Sequence, residues 1–274
     1  MSDTKQDNHR KHHLLGVLLN ITSYEDACDR ISNWALTKQS CYIIAANVHV
    51  VMTAYWNSAY RQVVNHAAMV TPDGMPLVLA LRWLGWPQAT RVYGPDLMLH
   101  CCQRAAQDKL PIYLYGGTNA MLKKLQQNLV LRFPELKIVG AYSPPFRDLT
   151  LEEEQQSLEQ IHQSGAAIVF VALGCPKQEL WMARQQGQLD AVMIGVGAAF
   201  GFHSGEVSQA PRWMMALSLE WLYRLMTEPK RLWKRYLINN PAFVLLLSRE
   251  LLRHTLKQDQ TSAVSQANDR DIAG

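Results

Sequence analysis

The chain has 274 residues, of which 48% are hydrophobic and 18% are charged, and its formal net charge is +4 at pH 7. This composition is sufficient to bury a core and excludes intrinsic disorder for most of the chain. No apolar run approaches the roughly 18 residues of a membrane span, and the candidate at 242–247 is far too short. The start is polar and lacks the pattern of a secretory signal. Five cysteines without CxxC spacing argue against a disulfide framework or a zinc site, so we expect a reducing compartment.

Hydrophobic periodicity predicts strands and helices that alternate along most of the chain, after a polar tail at 1–13 that is predicted to be disordered. The predicted strands, in chain order, are 14–19, 41–47, 68–74, 111–117, 136–142, 166–174 and 191–200. The predicted helices between them are 21–36, 49–67, 75–85, 93–109, 118–133, 151–164 and 176–187.

This alternation is typical of an α/β protein with a Rossmann-like, mostly parallel sheet and helices on both faces. After Phe202 the pattern changes to helices alone, and the polar stretch 204–211 marks the boundary. We therefore predict an α/β domain at 14–210, a basic helical C-terminal appendage at 211–257 and a disordered tail at 258–274.

Ligands of such sheets bind beyond the carboxyl ends of the strands, and polar residues follow two predicted strands there. Asn47 follows the second strand and is suited either to orient a substrate oxygen or to cap the next helix. Asp73 lies in the turn 71–74, where Pro72 and Gly74 hold it at a strand end. Its carboxylate is suited to act as a general base, although an ordinary Asp-Gly turn explains it equally well.

Three further strand ends carry glycines, which let a backbone approach a phosphate closely and leave free amides at a helix start. These motifs are Gly116-Gly117, the stretch 174–179 and the stretch 195–200. Gln178, in the second motif, can hydrogen-bond a base edge or a sugar hydroxyl. None of the three matches the GxGxxG dinucleotide fingerprint, and no metal-binding motif accompanies them, so we expect no metal.

The predicted appendage is strongly basic: nine basic and three acidic residues lie between 212 and 257. Arg224, Arg231 and Arg235 are spaced to share one helical face. Tryptophans and tyrosines are interleaved with these charges, a mixture that favours an anionic membrane interface. A helical pair packed on the core with a solvated charged face is the alternative explanation.

Six motifs in this order carry a resemblance to a known family: TPDGMPLV, RVYGPDLM, YLYGG, GCPKQE, GVGAAF and EWLYRLMTEPKRLWKRYL. Together they resemble the WecG/TagA/CpsF glycosyltransferases (glycosyltransferase family 26) over residues 14–240. The resemblance implies a nucleotide-sugar-binding catalytic domain at 14–210. It implies transfer of an N-acetylhexosamine, its uronic acid or a hexose from a UDP-sugar to a polyprenyl-diphosphate-linked saccharide in cell-surface polysaccharide synthesis. Transfer in the family inverts the anomeric carbon and needs no metal or other cofactor.

The same resemblance assigns roles to individual residues. It implies that Asp73 is the general base, that Asn47 and Gln178 are functional, and that Arg91 stabilises the diphosphate. The chain has Ala45 where the family has a threonine two residues before the asparagine, which puts one donor contact in doubt. Gly201 and Gln209 likewise replace a family aspartate and arginine. The donor-binding residues expected on these grounds are Gly116, Gly117, Gly174, Pro176, Gln178, Glu179, Gly195, Gly197, Arg212, Arg224, Arg231 and Arg235.

The expected partners are a UDP-sugar, the lipid-linked acceptor and an anionic membrane surface, with a location in the cytoplasm on the inner face of the cytoplasmic membrane. The resemblance also suggests homo-oligomers. Two alternatives stay open. A soluble Rossmann-type nucleotide-sugar or NAD-dependent enzyme would bind NAD, against which the missing fingerprint counts. A nucleic-acid-binding module would use the basic helices for stacking, but it would leave the strand-end motifs without a purpose, so we expect no nucleic acid.

Overall fold

The computed structural model describes the backbone of residues 11–272 and the side chains of residues 11–256. Its strands are β1 (Lys11–Leu14), β2 (Val17–Asn20), β3 (Cys41–Ala46), β4 (Met69–Pro72), β5 (Ile112–Gly116), β6 (Ile138–Tyr142), β7 (Ile168–Ala172) and β8 (Val192–Gly195). Its helices are α1 (Tyr24–Leu36), α2 (Val48–Trp56), α3 (Ser58–His66), α4 (Met75–Trp83), α5 (Gly94–Gln107), α6 (Asn119–Arg132), α7 (Leu151–Gln163), α8 (Lys177–Gln185), α9 (Ala199–Ser204), α10 (Arg212–Ala216), α11 (Glu220–Thr227) and α12 (Pro229–Ile272).

Six strands form one sheet in the order β4-β3-β8-β7-β5-β6, and every neighbouring pair is parallel. The central strands are continuous apolar runs; all six residues of β3, for example, are buried. Such runs are expected where both faces of a parallel sheet are covered. The Rossmann-like α/β fold predicted from the alternating pattern is therefore confirmed.

The helices divide between the two faces of the sheet and bury a separate apolar cluster on each. One cluster joins α1, α5, α6 and α9 through residues such as Ile31, Leu97 and Leu125. The other joins α2, α3, α4 and α8 to the sheet, and Phe243 and Leu247 of α12 pack into it. The long C-terminal helix is thus anchored to the α/β core by buried apolar side chains, each of which stabilises the fold by about 1.5–3 kcal/mol.

The structure corrects the prediction for the N-terminal region. Residues 1–10 of the predicted disordered tail lie outside the described residues, but residues 11–13 belong to β1. This strand pairs antiparallel with β2, so 14–19 is a hairpin and not a single strand. Leu15 and Gly16 adopt positive φ angles of 50° and 84° at the turn, a conformation that Gly tolerates without strain.

One predicted helix is two. The stretch 49–67 breaks at Asn57, whose side chain accepts a hydrogen bond from the Tyr60 amide at 3.0 Å and so starts α3. The predicted strand 191–200 likewise ends at Gly195, and α9 begins at Ala199. In both places a local turn signal stops an element that the apolar pattern alone would extend.

The chain passes from the sheet to the helices of the appendage between Ser204 and Arg212. Pro229 begins α12, because a proline is tolerated in the first turn of a helix. The backbone is helical to Ile272, and the side chains from 257 on lie outside the described residues, so the disordered tail expected at 258–274 stays a prediction. None of the helices in the described part of the chain is both long and apolar enough to cross a membrane.

Candidate active site

A cavity of about 1070 Å³ lies along the edge of the sheet where the parallel strands end, between these ends and the appendage. Most of the residues predicted for the site line it: Asn47, Asp73, Arg91, Gly117, Gly174, Gln178, Gly195, Gly197, Arg224, Arg231 and Arg235. Four predicted residues do not line it, namely Gly116, Pro176, Glu179 and Arg212. The first three lie beside lining residues, whereas Arg212 is exposed at the start of α10.

Asp73 follows β4 directly and is held from both sides. Its amide donates to the carbonyl of Ala46 at 2.8 Å, which ties it to the end of β3. Its carboxylate Oδ1 accepts a hydrogen bond from the Gly94 amide at 2.6 Å. Gly94 leaves little room for a side chain, because a Cβ there would lie 3.2 Å from the Cβ of Ala45. The carboxylate therefore points into the cavity with one oxygen fixed.

Burial raises the pKa of Asp73 to about 6, and the nearby carboxylate of Glu220 adds to the increase. Arg91, the Gly94 amide and the Asn47 side chain act in the opposite direction and favour the charged form. A carboxyl group with a pKa near 6 is largely deprotonated at neutral pH and is still basic enough to accept a proton. This is the property that a general base requires.

Asn47 connects the sheet edge to the appendage. It caps α2, with Oδ1 accepting from the amides of His49 at 3.0 Å and Val50 at 3.3 Å. The same oxygen accepts from Arg235 Nη2 at 3.4 Å. Of the two explanations left open for Asn47, the helix cap is confirmed, and its role in orienting a substrate oxygen stays a prediction for a residue that lines the cavity.

Arg91 has different neighbours from those expected of a diphosphate ligand. Its Nε donates to the Asp73 carbonyl at 2.5 Å, and its Nη2 lies 2.6 Å from Glu220 Oε2. Its guanidinium also covers the ring of Tyr93 at 4.2 Å. Two of its nitrogens are therefore engaged with protein groups beside Asp73, and the resemblance-based role on the diphosphate stays a prediction.

The loop after β5 is shaped by two glycines in the positive-φ region. Gly116 has a φ of 120°, and a Cβ there would lie 2.5 Å from the carbonyl oxygen of Ala172 on β7. Gly117 has a φ of 71° and lines the cavity. Thr118 then caps α6 by accepting from the Met121 amide at 3.1 Å. Only glycine fits Gly116 without moving a backbone, which leaves the helix start open toward the cavity.

The motif after β7 places one free acceptor in the cavity wall. Gln178 is buried, and its Nε2 donates to Glu179 Oε1 at 2.7 Å. Its Oε1 has no hydrogen-bond partner among the described residues. A Cβ at Gly195 would lie 2.8 Å from Met182 Cε and 3.1 Å from Gln178 Nε2, so a larger residue there would displace these side chains. Glu179 itself is fully buried, and burial raises its pKa. It does not line the cavity and accepts the hydrogen bond that holds Gln178 in the cavity wall.

The arginines of the appendage close the cavity from above. Arg224 and Arg231 both approach Glu228, at 4.0 Å and 2.7 Å. Arg235 has no such carboxylate among the side chains that the structure describes, and burial lowers its pKa, with repulsion from Arg224 and Arg231 adding to the effect. The Nε atoms of Arg224 and Arg235 are buried without a partner within the described part of the chain. Unsatisfied guanidinium donors in a cavity indicate an anion-binding site.

The lining residues that the sequence did not predict include Glu220, Tyr93 and His49. Burial lowers the pKa of His49 to about 4, and its ring contacts Asn239 at 2.9 Å. Tyr93 and Glu220 lie inside the quoted motifs, yet nothing in their spacing indicates that they meet. Within residues 11–256, no group of three or more His, Cys, Asp and Glu side chains is arranged to hold a metal ion.

Comparison with known proteins gives two findings. The model of the glycosyl transferase WecG/TagA/CpsF family matches residues 12–257. A relative from Bacillus spizizenii, named N-acetylglucosaminyldiphosphoundecaprenol N-acetyl-beta-D-mannosaminyltransferase, is 30% identical over 207 residues. The matched region covers 75% of this chain and 78% of that relative.

Proposed function

The chain belongs to the WecG/TagA/CpsF family and is a glycosyltransferase, and we propose that it moves a sugar from a UDP-sugar to a polyprenyl-diphosphate-linked saccharide. The Bacillus spizizenii relative supports this acceptor class, because its name specifies N-acetylglucosaminyldiphosphoundecaprenol. The same name makes N-acetylmannosamine the first donor sugar to test. Other N-acetylhexosamines, their uronic acids and hexoses follow, since Ala45 replaces the family threonine in the cavity wall.

One observation carries the proposal: the Asp73 carboxylate and a group of arginines face the same cavity. Of the described carboxylates that line it, Glu220 and Glu228 form ion pairs with arginines, whereas Asp73 forms none within 4.0 Å. Asp73 is therefore the group best placed to remove the proton of the acceptor hydroxyl. That oxygen then attacks the anomeric carbon, the bond to the diphosphate breaks, and UDP leaves.

A single displacement of this kind inverts the anomeric carbon, because the hydroxyl attacks from the face opposite the diphosphate. The leaving diphosphate needs positive charge and hydrogen-bond donors. Arg224, Arg231 and Arg235 supply charge, and Gly117 and Gly197 lie where backbone amides can contribute. We propose that these groups replace a metal ion in stabilising the leaving group.

The strand order suggests how the donor lies along the ends of the strands. Asp73 follows β4, at one edge of the sheet, and Gly195–Gly197, Gly174 and Gly117 follow β8, β7 and β5 in turn. Four strand spacings of about 4.8 Å each separate β4 from β5. We place the acceptor and the transferred sugar at β4 and β3, the diphosphate over β8 beneath the arginines, and the nucleoside over β7 and β5.

The appendage gives a reason to place the enzyme at a membrane. It exposes a series of large apolar side chains: Trp213, Leu217, Met226, Trp233, Leu237, Ile238, Val244 and Leu245. Exposed apolar residues beside basic ones favour the interface of an anionic bilayer. We propose peripheral association with the inner face of the cytoplasmic membrane, where a polyprenyl-linked acceptor would meet a cytoplasmic nucleotide sugar.

The proposal is tested by incubating the protein with a panel of UDP-sugars and a short polyprenyl-diphosphate-GlcNAc mimic, then weighing the product. One donor should add the mass of its sugar to the acceptor. In parallel, UDP should raise the midpoint of thermal unfolding more than NAD or an oligonucleotide does. Stabilisation by NAD alone, with no product from any donor, would favour a Rossmann-type redox enzyme instead.

A further inference from the structure

Glu220, the first residue of α11, makes a two-point contact with the segment beside Asp73. Its Oε2 lies 2.6 Å from Arg91 Nη2, and its Oε1 accepts a hydrogen bond from Tyr93 Oη at 2.9 Å. The Glu220 and Arg91 side chains are each only 16% exposed, so solvent screens their attraction weakly. This is a direct ion pair between the appendage and the strand ends, across 129 positions of sequence.

Glu220 contacts the segment 91–94, and the same segment holds Asp73 in place. The Val92 amide donates to the Pro72 carbonyl at 3.0 Å, so residues 91–94 run alongside the end of β4. Arg91 Nε donates to the Asp73 carbonyl at 2.5 Å. The Gly94 amide donates to the Asp73 carboxylate at 2.6 Å. A shift of this segment would therefore move both the backbone and the side chain of Asp73.

We propose that Glu220 is a positioning residue for the transfer: it fixes Arg91 and Tyr93 and, through them, keeps the Asp73 carboxylate aimed at the acceptor. The proposal rests on the proposed function, because it takes Asp73 as the base. It goes beyond that function because it gives the appendage a role in orienting the base, in addition to covering the cavity and contacting the membrane. Docking of α11 on the strand ends then also brings Asp73 into its working position.

The charges around Asp73 make the pH–rate profile a test of the proposal, because a purely structural role of Glu220 would not shift that profile. Arg91 and Tyr93 face it from the segment 91–94, Glu220 faces it from α11, and Tyr24 faces it from α1. The negative charge of Glu220 raises the pKa of Asp73, whereas Arg91 lowers it. Removal of that negative charge should therefore shift the acidic limb of the pH–rate profile to lower pH.

The first test compares Glu220→Gln with the wild-type enzyme in the transfer assay. We expect kcat to fall by about tenfold to a hundredfold, as for a misplaced catalytic group, with the donor KM and the Kd of UDP unchanged. The acidic limb should move to lower pH. Glu206→Gln is the matched control, because the Glu206 carboxylate likewise pairs with a basic side chain, Lys124, but does not line the cavity. It should leave all these values unchanged.

A double-mutant cycle tests whether Glu220 acts through Arg91. Glu220→Gln added to Arg91→Met should lower kcat little further, whereas independent roles would multiply the two losses. Tyr93→Phe, which removes only the second contact, should show a smaller loss in the same direction and covers the case in which Glu220→Gln fails to fold. An unchanged kcat, multiplied losses, or a parallel loss of UDP binding would overturn the positioning role.

Failure of this inference and failure of the proposed function are distinguishable in the same assay. A wild-type enzyme that turns over a UDP-sugar while Glu220→Gln matches it would refute the positioning role alone. A wild-type enzyme that turns over no UDP-sugar would refute the proposed function, and the inference with it.

Discussion

The sheet edge and the appendage contribute to the same cavity by different physical means. At the sheet edge, backbone geometry places the groups: Asp73 is held by two hydrogen bonds to the backbone, and a Cβ at Gly116 would lie 2.5 Å from the carbonyl oxygen of Ala172, so only glycine fits there. In the appendage, long side chains reach the site from helices with few buried residues; α11 has none. The sheet thus fixes the positions of the site residues at the strand ends, whereas the appendage packed over those ends supplies positive charge and exposed apolar side chains.

This difference teaches that the two regions should fail differently. A change at the β4 end of the sheet edge, where Asp73 lies, should alter the chemical step while leaving donor binding intact, because the group there acts on the acceptor hydroxyl. A change in the appendage should alter binding of the donor or of the membrane first. Glu220 is the exception that joins the two, which is why its removal is expected to alter kcat from within the appendage.

The largest effect is expected at the sheet edge, from Asp73→Asn. Loss of a general base costs about 10²–10⁴-fold in rate, so transfer should be nearly abolished, while the Kd of UDP measured by calorimetry stays within a few-fold of the wild-type value. The wild-type acidic limb of kcat/KM should lie near pH 6, where the pKa of Asp73 lies, with activity rising toward higher pH. Undiminished turnover by Asp73→Asn would reject its role as the base.

In the appendage, Arg235→Met is the sharpest substitution. Its Nε is buried without a partner among the described residues, and a diphosphate would supply one. Loss of a charged hydrogen bond of about 1.5–3 kcal/mol should weaken UDP binding roughly tenfold to a hundredfold. The free protein should become more stable, because the buried charge repelled by Arg224 and Arg231 is gone.

Arg249→Met is the matched control for that experiment, because Arg249 lies exposed on the same helix and does not line the cavity. It should change neither the Kd of UDP nor the midpoint of thermal unfolding. Should Arg235→Met bind UDP as tightly as wild type while losing stability, Arg235 would serve the docking of α12 and not the donor.

Much of the sheet edge was predictable from sequence, because its residues follow recognisable strand ends. Parallel topology places every carboxyl end at one edge, so Asn47, Asp73 and Gln178 were expected to converge, and all three line the cavity. The family resemblance, carried by six ordered motifs, is confirmed by the match over residues 12–257. Asn57 is a residue type that commonly begins a helix, but the apolar pattern on both sides of it predicted one continuous helix over 49–67.

The appendage was less predictable, because its helices meet the core through contacts that local pattern does not encode. The prediction that helical spacing places Arg224, Arg231 and Arg235 on one face is wrong for Arg224, which lies on α11 before the break at Glu228, while the other two lie on α12; all three nevertheless line the cavity. The family resemblance also suggested Arg212, which is exposed on a separate short helix and does not line the cavity. The pairing of Glu220 with Arg91 depends on how α11 docks, and no periodicity in either segment indicates it.

A moderate effect is expected on the outer surface of the appendage. Trp233 and Leu237 are exposed on α12, and replacing both with serine removes apolar area from the predicted membrane contact. Binding to liposomes containing anionic lipid should weaken about tenfold, which corresponds to about 1.4 kcal/mol, while kcat with a short soluble acceptor stays unchanged. Leu131→Ser on α6, at a residue that is even more exposed but lies in the α/β domain, should not weaken liposome binding. Equal weakening by both variants would place the contact elsewhere.

The smallest effect concerns stability at the sheet edge. The folded pKa of Asp73, about 6, lies above its ordinary value of 3.8, so this carboxyl stabilises the fold below pH 3.8 and that contribution is lost as the pH rises through about 6. A shift of this size corresponds to at most about 3 kcal/mol. Asp73→Asn, which stays neutral, should therefore raise the midpoint of thermal unfolding by a few degrees at pH 8 but not at pH 4.

Asp108→Asn is the opposite control, because Ser32 and Arg104 lower the pKa of Asp108, whose charged form stabilises the fold. Its midpoint should fall slightly at pH 8. If Asp73→Asn also lowered the midpoint at pH 8, burial of that carboxylate would carry no energetic penalty, and the physical basis for a base with a raised pKa would be lost.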